Sequence, residues 1–135
     1  MKCVLVIGLP ASGKTTWARR HAAQLLSLGV SAMVMDDPRN RKELDAGLAL
    51  AVAERVQVVF IIDPLLCYRD VSQSAKAILE AQGHDVTIIQ FENDPKACMR
   101  NAAQRKDKPV QGLIENLTRE YAIITEYPVF PVYQG

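Results

Sequence analysis

Apolar residues along this chain follow two alternating rhythms. Val4 to Ile7 is an unbroken, largely β-branched run of the kind that forms a strand buried on both faces, and Gly8 ends it. From Lys14 to about Leu28 the period lengthens. Trp17, Ala18, His21, Ala22, Leu25 and Leu28 stand three or four apart and Gly29 supplies a stop, which predicts a helix. The two patterns then recur: a strand over Ser31–Met35, a polar turn over Asp36–Asn40, a helix from about Lys42 to Arg55 and a third strand over Gln57–Ile62. Asp63 and Pro64 interrupt that strand. A helix over Asp70–Ala81 closed by Gly83 and a fourth strand over Asp85–Phe91 are expected next. Asp94 reads as an N-cap with Pro95 at the first helical position, opening a helix to about Arg105. Gln104–Pro109 is a basic turn, a last helix is expected from Val110 to Tyr127, and two prolines keep the tail YPVFPVYQG extended.

Strands separated by helices call for a three-layer α/β sandwich with a central parallel sheet. Ligands of such sheets bind beyond the carboxyl ends of the strands. That rule gathers Gly8–Thr15, Asp36–Arg39 and Asp63 at one edge, because each group follows a strand directly. A length of 135 residues, 49% of them hydrophobic, fits one domain over residues 1–135, so that domain is expected to hold the whole site.

Charge narrows the partners. With 16 Lys and Arg against 15 Asp and Glu, long-range attraction to a polyanion is not written into the net charge, so an anionic partner must be met by local groups. Cys3, Cys67 and Cys98 are odd in number and widely spaced, which argues against a disulfide framework or a zinc site and fits a reducing cytosol. The apolar start MKCVLVIGLP leads into a glycine loop instead of a small-residue cleavage site. The longest apolar run, Val56–Ile62, falls short of the roughly 18 to 20 residues that span a bilayer, so a cytoplasmic protein without a membrane partner is expected.

Gly8-Leu9-Pro10-Ala11-Ser12-Gly13-Lys14-Thr15 matches G-x-x-x-x-G-K-[ST] between an expected strand and an expected helix, the context in which this pattern cradles phosphate. The expected ligand is a nucleoside triphosphate, ATP with Mg²⁺, held over Gly8 to Thr16. Glycines let successive N–H groups point at phosphate oxygens, and the helix N-terminus adds a favourable dipole. Lys14 is expected to reach the β- and γ-phosphates and the Thr15 hydroxyl to ligate Mg²⁺. This loop alone does not name a reaction. Phosphoryl transfer to an alcohol also needs a carboxylate near the acceptor, cations on the migrating group and an acid for the metal. Asp36, Asp37 and Arg39 follow the second strand and Asp63 ends VVFIID, although both positions also suit a turn. In CMRNAAQRKDK, the cations Arg100, Arg105, Lys106 and Lys108 gather where a lid would lie, or where they would complement a helix C-terminus. Arg105 is the lid candidate. His21 and His84 have no visible catalytic neighbour.

The segments GLPASGKTTWARR, MDDPR and CMRNAAQRKDKPV resemble the P-loop kinase domain of phage polynucleotide kinase and its relatives in the zeta-toxin-like group. The resemblance implies that Asp36 is the general base, Arg39 the arginine on the acceptor's phosphate and Arg105 the lid arginine on the transferring phosphoryl. It makes Asp63 the acid after the third strand, and its position at the end of VVFIID is one from which a carboxylate could hold the metal's water shell. Three departures all concern the acceptor: Met35 stands where the relatives have a basic residue, Pro64-Leu65-Leu66-Cys67 replaces a polar turn, and residues 41–55 are shorter. The implied activity is transfer of the γ-phosphoryl of ATP to a hydroxyl on nucleic acid. That hydroxyl is a 5′-end or the hydroxymethyl group of a modified pyrimidine, such as 5-hydroxymethyluracil in phage DNA, the compartment then being the host cytoplasm. A kinase of a small nucleoside, nucleotide or metabolite, and an ATP-binding regulatory module with slow hydrolysis, stay open. Tyr68, Tyr121, Tyr127, Phe130 and Tyr133 suit either base stacking or core closure.

Overall fold

The computed structural model describes residues 1–105 and 110–133. Its sheet joins five parallel strands, β1 (Lys2–Ile7), β2 (Ala32–Asp36), β3 (Val58–Ile62), β4 (Asp85–Phe91) and β5 (Val129–Phe130), in the order β2-β3-β1-β4-β5. Between them run α1 (Lys14–Ser27), α2 (Arg41–Ala53), α3 (Arg69–Ala81), α4 (Pro95–Ala103) and α5 (Gln111–Glu120), with a 3₁₀ turn over Pro64–Cys67. Parallel neighbours need crossover connections, and these helices supply them while covering both faces.

Strand β1 lies at the centre and is apolar on both sides. Its Cys3, Leu5 and Ile7 join Leu48 and Ala51 of α2, Leu79 of α3, Cys98 and Ala102 of α4 and Ile114 and Leu117 of α5 in one core. Its Val4 and Val6 face the other way, onto Ala18 and Ala22 of α1 together with Phe60, Ile62 and Phe91. One helix therefore covers one face and four cover the other, giving the expected sandwich. Register then sets the site: Val6 pairs with Ile62 and Ile62 with Asp36, so the loop after β1, the turn after β2 and Asp63 leave the sheet at the same edge.

One expectation needs correction and another is extended. The last helix does not reach Tyr127 but stops at Glu120, and β4 explains why. Gln90, fully buried in β4, donates from Nε2 to the carbonyls of Ile124 (2.6 Å) and Tyr127 (2.9 Å) and accepts from the Ile124 N–H (2.9 Å). The Tyr121 hydroxyl donates to the Phe91 carbonyl and Asn93 binds the carbonyls of Thr118 and Tyr121. These groups hold residues 121–127 out of a helix. The tail is extended as expected, but it is also a fifth strand, with Gln90 and Phe91 paired to Val129 and Phe130. The break after Asp63 is an ordered 3₁₀ turn capped by the Asp63 side chain.

Candidate functional site

Between β1 and α1 the chain reverses in a loop with two residues in left-handed conformation, Ala11 (φ 63°) and Gly13 (φ 100°). Glycine is required at both of its fixed positions. A Cβ on Gly8 would stand 2.7 Å from Ser12 Oγ, and one on Gly13 would stand 2.5 Å from the Cβ of Tyr133. Lys14 folds back over the loop, its Nζ donating to the carbonyls of Gly8 (2.6 Å) and Leu9 (2.9 Å). Burial pushes the Lys14 ammonium below its ordinary pKa, while the negative charges of Asp36 and Asp37 oppose that shift.

Loop carbonyls are nearly all taken by donors from the protein. Lys14 holds those of Gly8 and Leu9, the Asn101 side chain that of Ala11 (2.9 Å), the Tyr133 N–H that of Ser12 (3.0 Å) and the Trp17 N–H that of Gly13 (2.9 Å). Within a peptide unit the N–H points opposite to the carbonyl, so carbonyls drawn outward turn N–H groups inward. Helix α1 begins at Lys14 with no side-chain cap, which leaves the positive end of its dipole open to an anion. These features fit a phosphate chain.

The acids meet the loop from the ends of β2 and β3. The Thr15 hydroxyl donates to Oδ2 of Asp36, the last residue of β2, at 3.0 Å. Asp37 has φ 55° and is held by its N–H on the Ile62 carbonyl (2.7 Å). Asp63 accepts from the Leu65 N–H through Oδ1 (2.9 Å). Burial pushes the Asp63 carboxyl above its usual range and Asp37 adds to this, while the Leu65 N–H and Lys14 oppose it. Thr15 and Asp36 are thus brought into contact, whereas Asp63 reaches the group through its field. The hydroxyl and carboxylates are hard oxygen donors of the kind Mg²⁺ takes. Among the described residues no three His, Cys, Asp or Glu side chains form a closed metal cluster, so an ion here would draw remaining ligands from phosphate and water.

Arg39 is exposed just before Asn40, the N-cap of α2, and Arg105 is exposed after α4. Lys106 and Lys108 lie outside the described residues. Pro10, Ser12 and Thr16 complete the loop and first turn, with Ser12 buried. Of the aromatics, Tyr121 is buried and Phe130 packs against Phe91 and Trp17, whose ring also meets His21. Burial pushes the Cys67 and Cys98 thiols up to about 11, so neither is a thiolate near neutral pH. Sequence reasoning missed Asn101 and Tyr133 as parts of the loop's surroundings. Their bonds to the loop carry no local spacing signal.

A search of curated proteins gives no match. Among solved structures, Kti12 of Chaetomium thermophilum in complex with ADP-AlF3 has a similar fold, with a TM-score of 0.62 and 21% identity over 96% of this chain and 88% of that one. No helix among the described residues is long and apolar enough to cross a membrane. The family model described as AAA domain matches residues 3–121, from β1 through α5. With the phosphate loop inside that span, the chain belongs to this AAA-domain family of P-loop nucleotide-binding proteins.

Proposed function

We propose that this protein is an ATP-dependent kinase that transfers the γ-phosphoryl to a hydroxyl on nucleic acid. The observation that carries the reading is the Thr15–Asp36 hydrogen bond of 3.0 Å, which joins the hydroxyl expected on Mg²⁺ to a carboxylate at the next strand end. One oxygen of Asp36 engages Thr15, and the other is left for an acceptor hydroxyl. Mg²⁺, held by Thr15 and Asp63, would neutralise β- and γ-phosphate oxygens when bound. Lys14 leaves the Gly8 and Leu9 carbonyls for those oxygens. Asp36 orients the acceptor and takes its proton as the acceptor oxygen bonds to the γ-phosphorus and the bond to the β-phosphate oxygen breaks. ADP then departs. Arg105 would stabilise the phosphoryl in transit and Arg39 would hold a phosphate of the acceptor.

The acceptor edge favours a large substrate. Asp36, Asp37, Arg39, Leu65 and Arg69 are all exposed there, which suits a chain lying across an open rim better than a small molecule enclosed in a pocket. Both a 5′-hydroxyl end and a hydroxymethyl pyrimidine are primary alcohols beside a nucleic-acid phosphate. The test is incubation with γ-labelled ATP, Mg²⁺ and a panel of 5′-hydroxyl DNA and RNA, DNA containing 5-hydroxymethyluracil, free nucleosides and no acceptor. Label on a nucleic acid is the expected result, and its position separates end phosphorylation from base modification. Label on nucleosides alone would overturn the nucleic-acid reading, and label on nothing despite ATP binding would overturn the kinase reading.

A further inference from the structure

We infer that Asn101 is a positioning residue for the phosphate loop, tying the peptide after Ala11 to the C-terminal segment so that the loop's N–H groups stay turned toward phosphate. This rests on the reading of the loop as a nucleotide site. Asn101 Nδ2 donates to the Ala11 carbonyl at 2.9 Å and to the Tyr133 carbonyl at 2.6 Å. An amide nitrogen carries two protons, and here each has its own carbonyl. Neither an aspartate, which only accepts, nor an aliphatic side chain can make this bridge.

The bridge acts where the loop is most strained. Ala11 is a non-glycine residue at φ 63°, a conformation that L side chains disfavour and that persists only where its surroundings impose it. Next to it, the Tyr133 N–H holds the Ser12 carbonyl at 3.0 Å, and Tyr133 lies so close to Gly13 that no Cβ fits between them. The segment that brings Tyr133 here is itself registered on β4. The Glu92 N–H donates to the Phe130 carbonyl (2.8 Å), and the Val132 N–H donates to Glu92 Oε1 (3.2 Å). Asn101 stands on a docked helix, because Ala97, Cys98 and Ala102 of α4 are buried in the core. Two consecutive loop peptides are therefore held from outside, one by α4 and one by the tail. Losing the Asn101 donor frees the Ala11–Ser12 peptide to rotate and relax the left-handed residue. A carbonyl would then be presented where an N–H should meet phosphate. Arg105 lies just past the C-cap of the same helix, so the end of α4 that holds the loop also leads into the arginine proposed to meet the phosphoryl.

Calorimetric titration of the protein with ATP and, separately, GTP in Mg²⁺ tests this, alongside the melting temperature without nucleotide. Asn101→Asp is expected to weaken both nucleotides by about tenfold and by the same factor, since the effect lies on phosphate and not on the base. Its ligand-free melting temperature should stay within roughly a few degrees of the parent, a split that a merely structural role would not give. Tyr133→Pro, which removes the N–H on Ser12, should weaken binding in the same base-independent way. If Asn101→Asp fails to fold, Asn101→Ala takes its place. Parental affinity in a folded Asn101 variant would overturn the inference. If the parent gives no heat with either nucleotide, or Lys14→Ala binds as the parent does, the nucleotide reading itself fails and the inference falls with it.

Discussion

The two halves of the sheet edge are built differently. The donor half, from Gly8 to Thr15, is pinned from every side: Lys14 is buried, five loop carbonyls are bonded to protein donors, and the C-terminal segment presses on Gly13. The half proposed to meet an acceptor, from Asp36 to Arg39 and from Asp63 to Arg69, leaves Asp36, Asp37, Arg39 and Arg69 exposed and Leu65 half-exposed. A phosphate chain has one shape in every triphosphate, so a loop that holds it can be rigid and recognisable. Acceptors differ, so the surface that meets them varies and keeps no fixed pattern.

Breaking the donor half should have the largest effects. Lys14→Ala is expected to lower ATP affinity or turnover by about a hundredfold or more, as loss of a charged phosphate contact does, measured by titration and by label release. Gly13→Ala should destabilise the fold by about 1–3 kcal/mol in urea unfolding, since alanine resists φ 100° and its Cβ would meet that of Tyr133.

Asp63, just past the end of β3, separates stability from function. Its carboxyl is raised mainly by burial, so the folded state favours the protonated form. Stability tied to that proton is present below the unfolded pKa and is lost as pH rises through the folded pKa. At neutral pH the ionised group therefore costs stability. Asp63→Asn keeps an acceptor for the Leu65 N–H and removes that cost. Its melting temperature at pH 7 should equal or exceed the parent's, with any gain shrinking in acid, while Mg²⁺-dependent ATP affinity falls severalfold. A melting temperature clearly below the parent's at pH 7 would refute this account of Asp63. Arg39→Ala, at an exposed acceptor position, should change stability by no more than about 0.5 kcal/mol. It should raise KM for a nucleic-acid acceptor severalfold, an effect that fades with added salt.

Much of the donor half was legible in the sequence because local pattern dictates it. The buried run Val4–Ile7, the glycines at 8 and 13 and the helical spacing from Lys14 are each set by neighbours in the chain. The places where reading by pattern fell short depend on distant partners. Nothing in the helical spacing after Val110 announces that Gln90, 34 residues before Ile124, will hold that segment out of a helix. Nor does a lone Asn101 reveal a bond to Ala11, 90 residues away. Arg39 and Asp63 were singled out through strand ends, and their chemistry depends on what lies across an open rim.

Acceptor-dependent transfer by the parent and by Asp36→Asn tests the central claim most directly. Asparagine can still accept from Thr15, so ATP affinity should stay within about twofold of the parent, while label transfer to the acceptor falls by about 10²–10⁴. An equal, slow loss of the γ-phosphate with and without every acceptor, unchanged in Asp36→Asn, would contradict the kinase reading and make the protein a nucleotide-binding module instead.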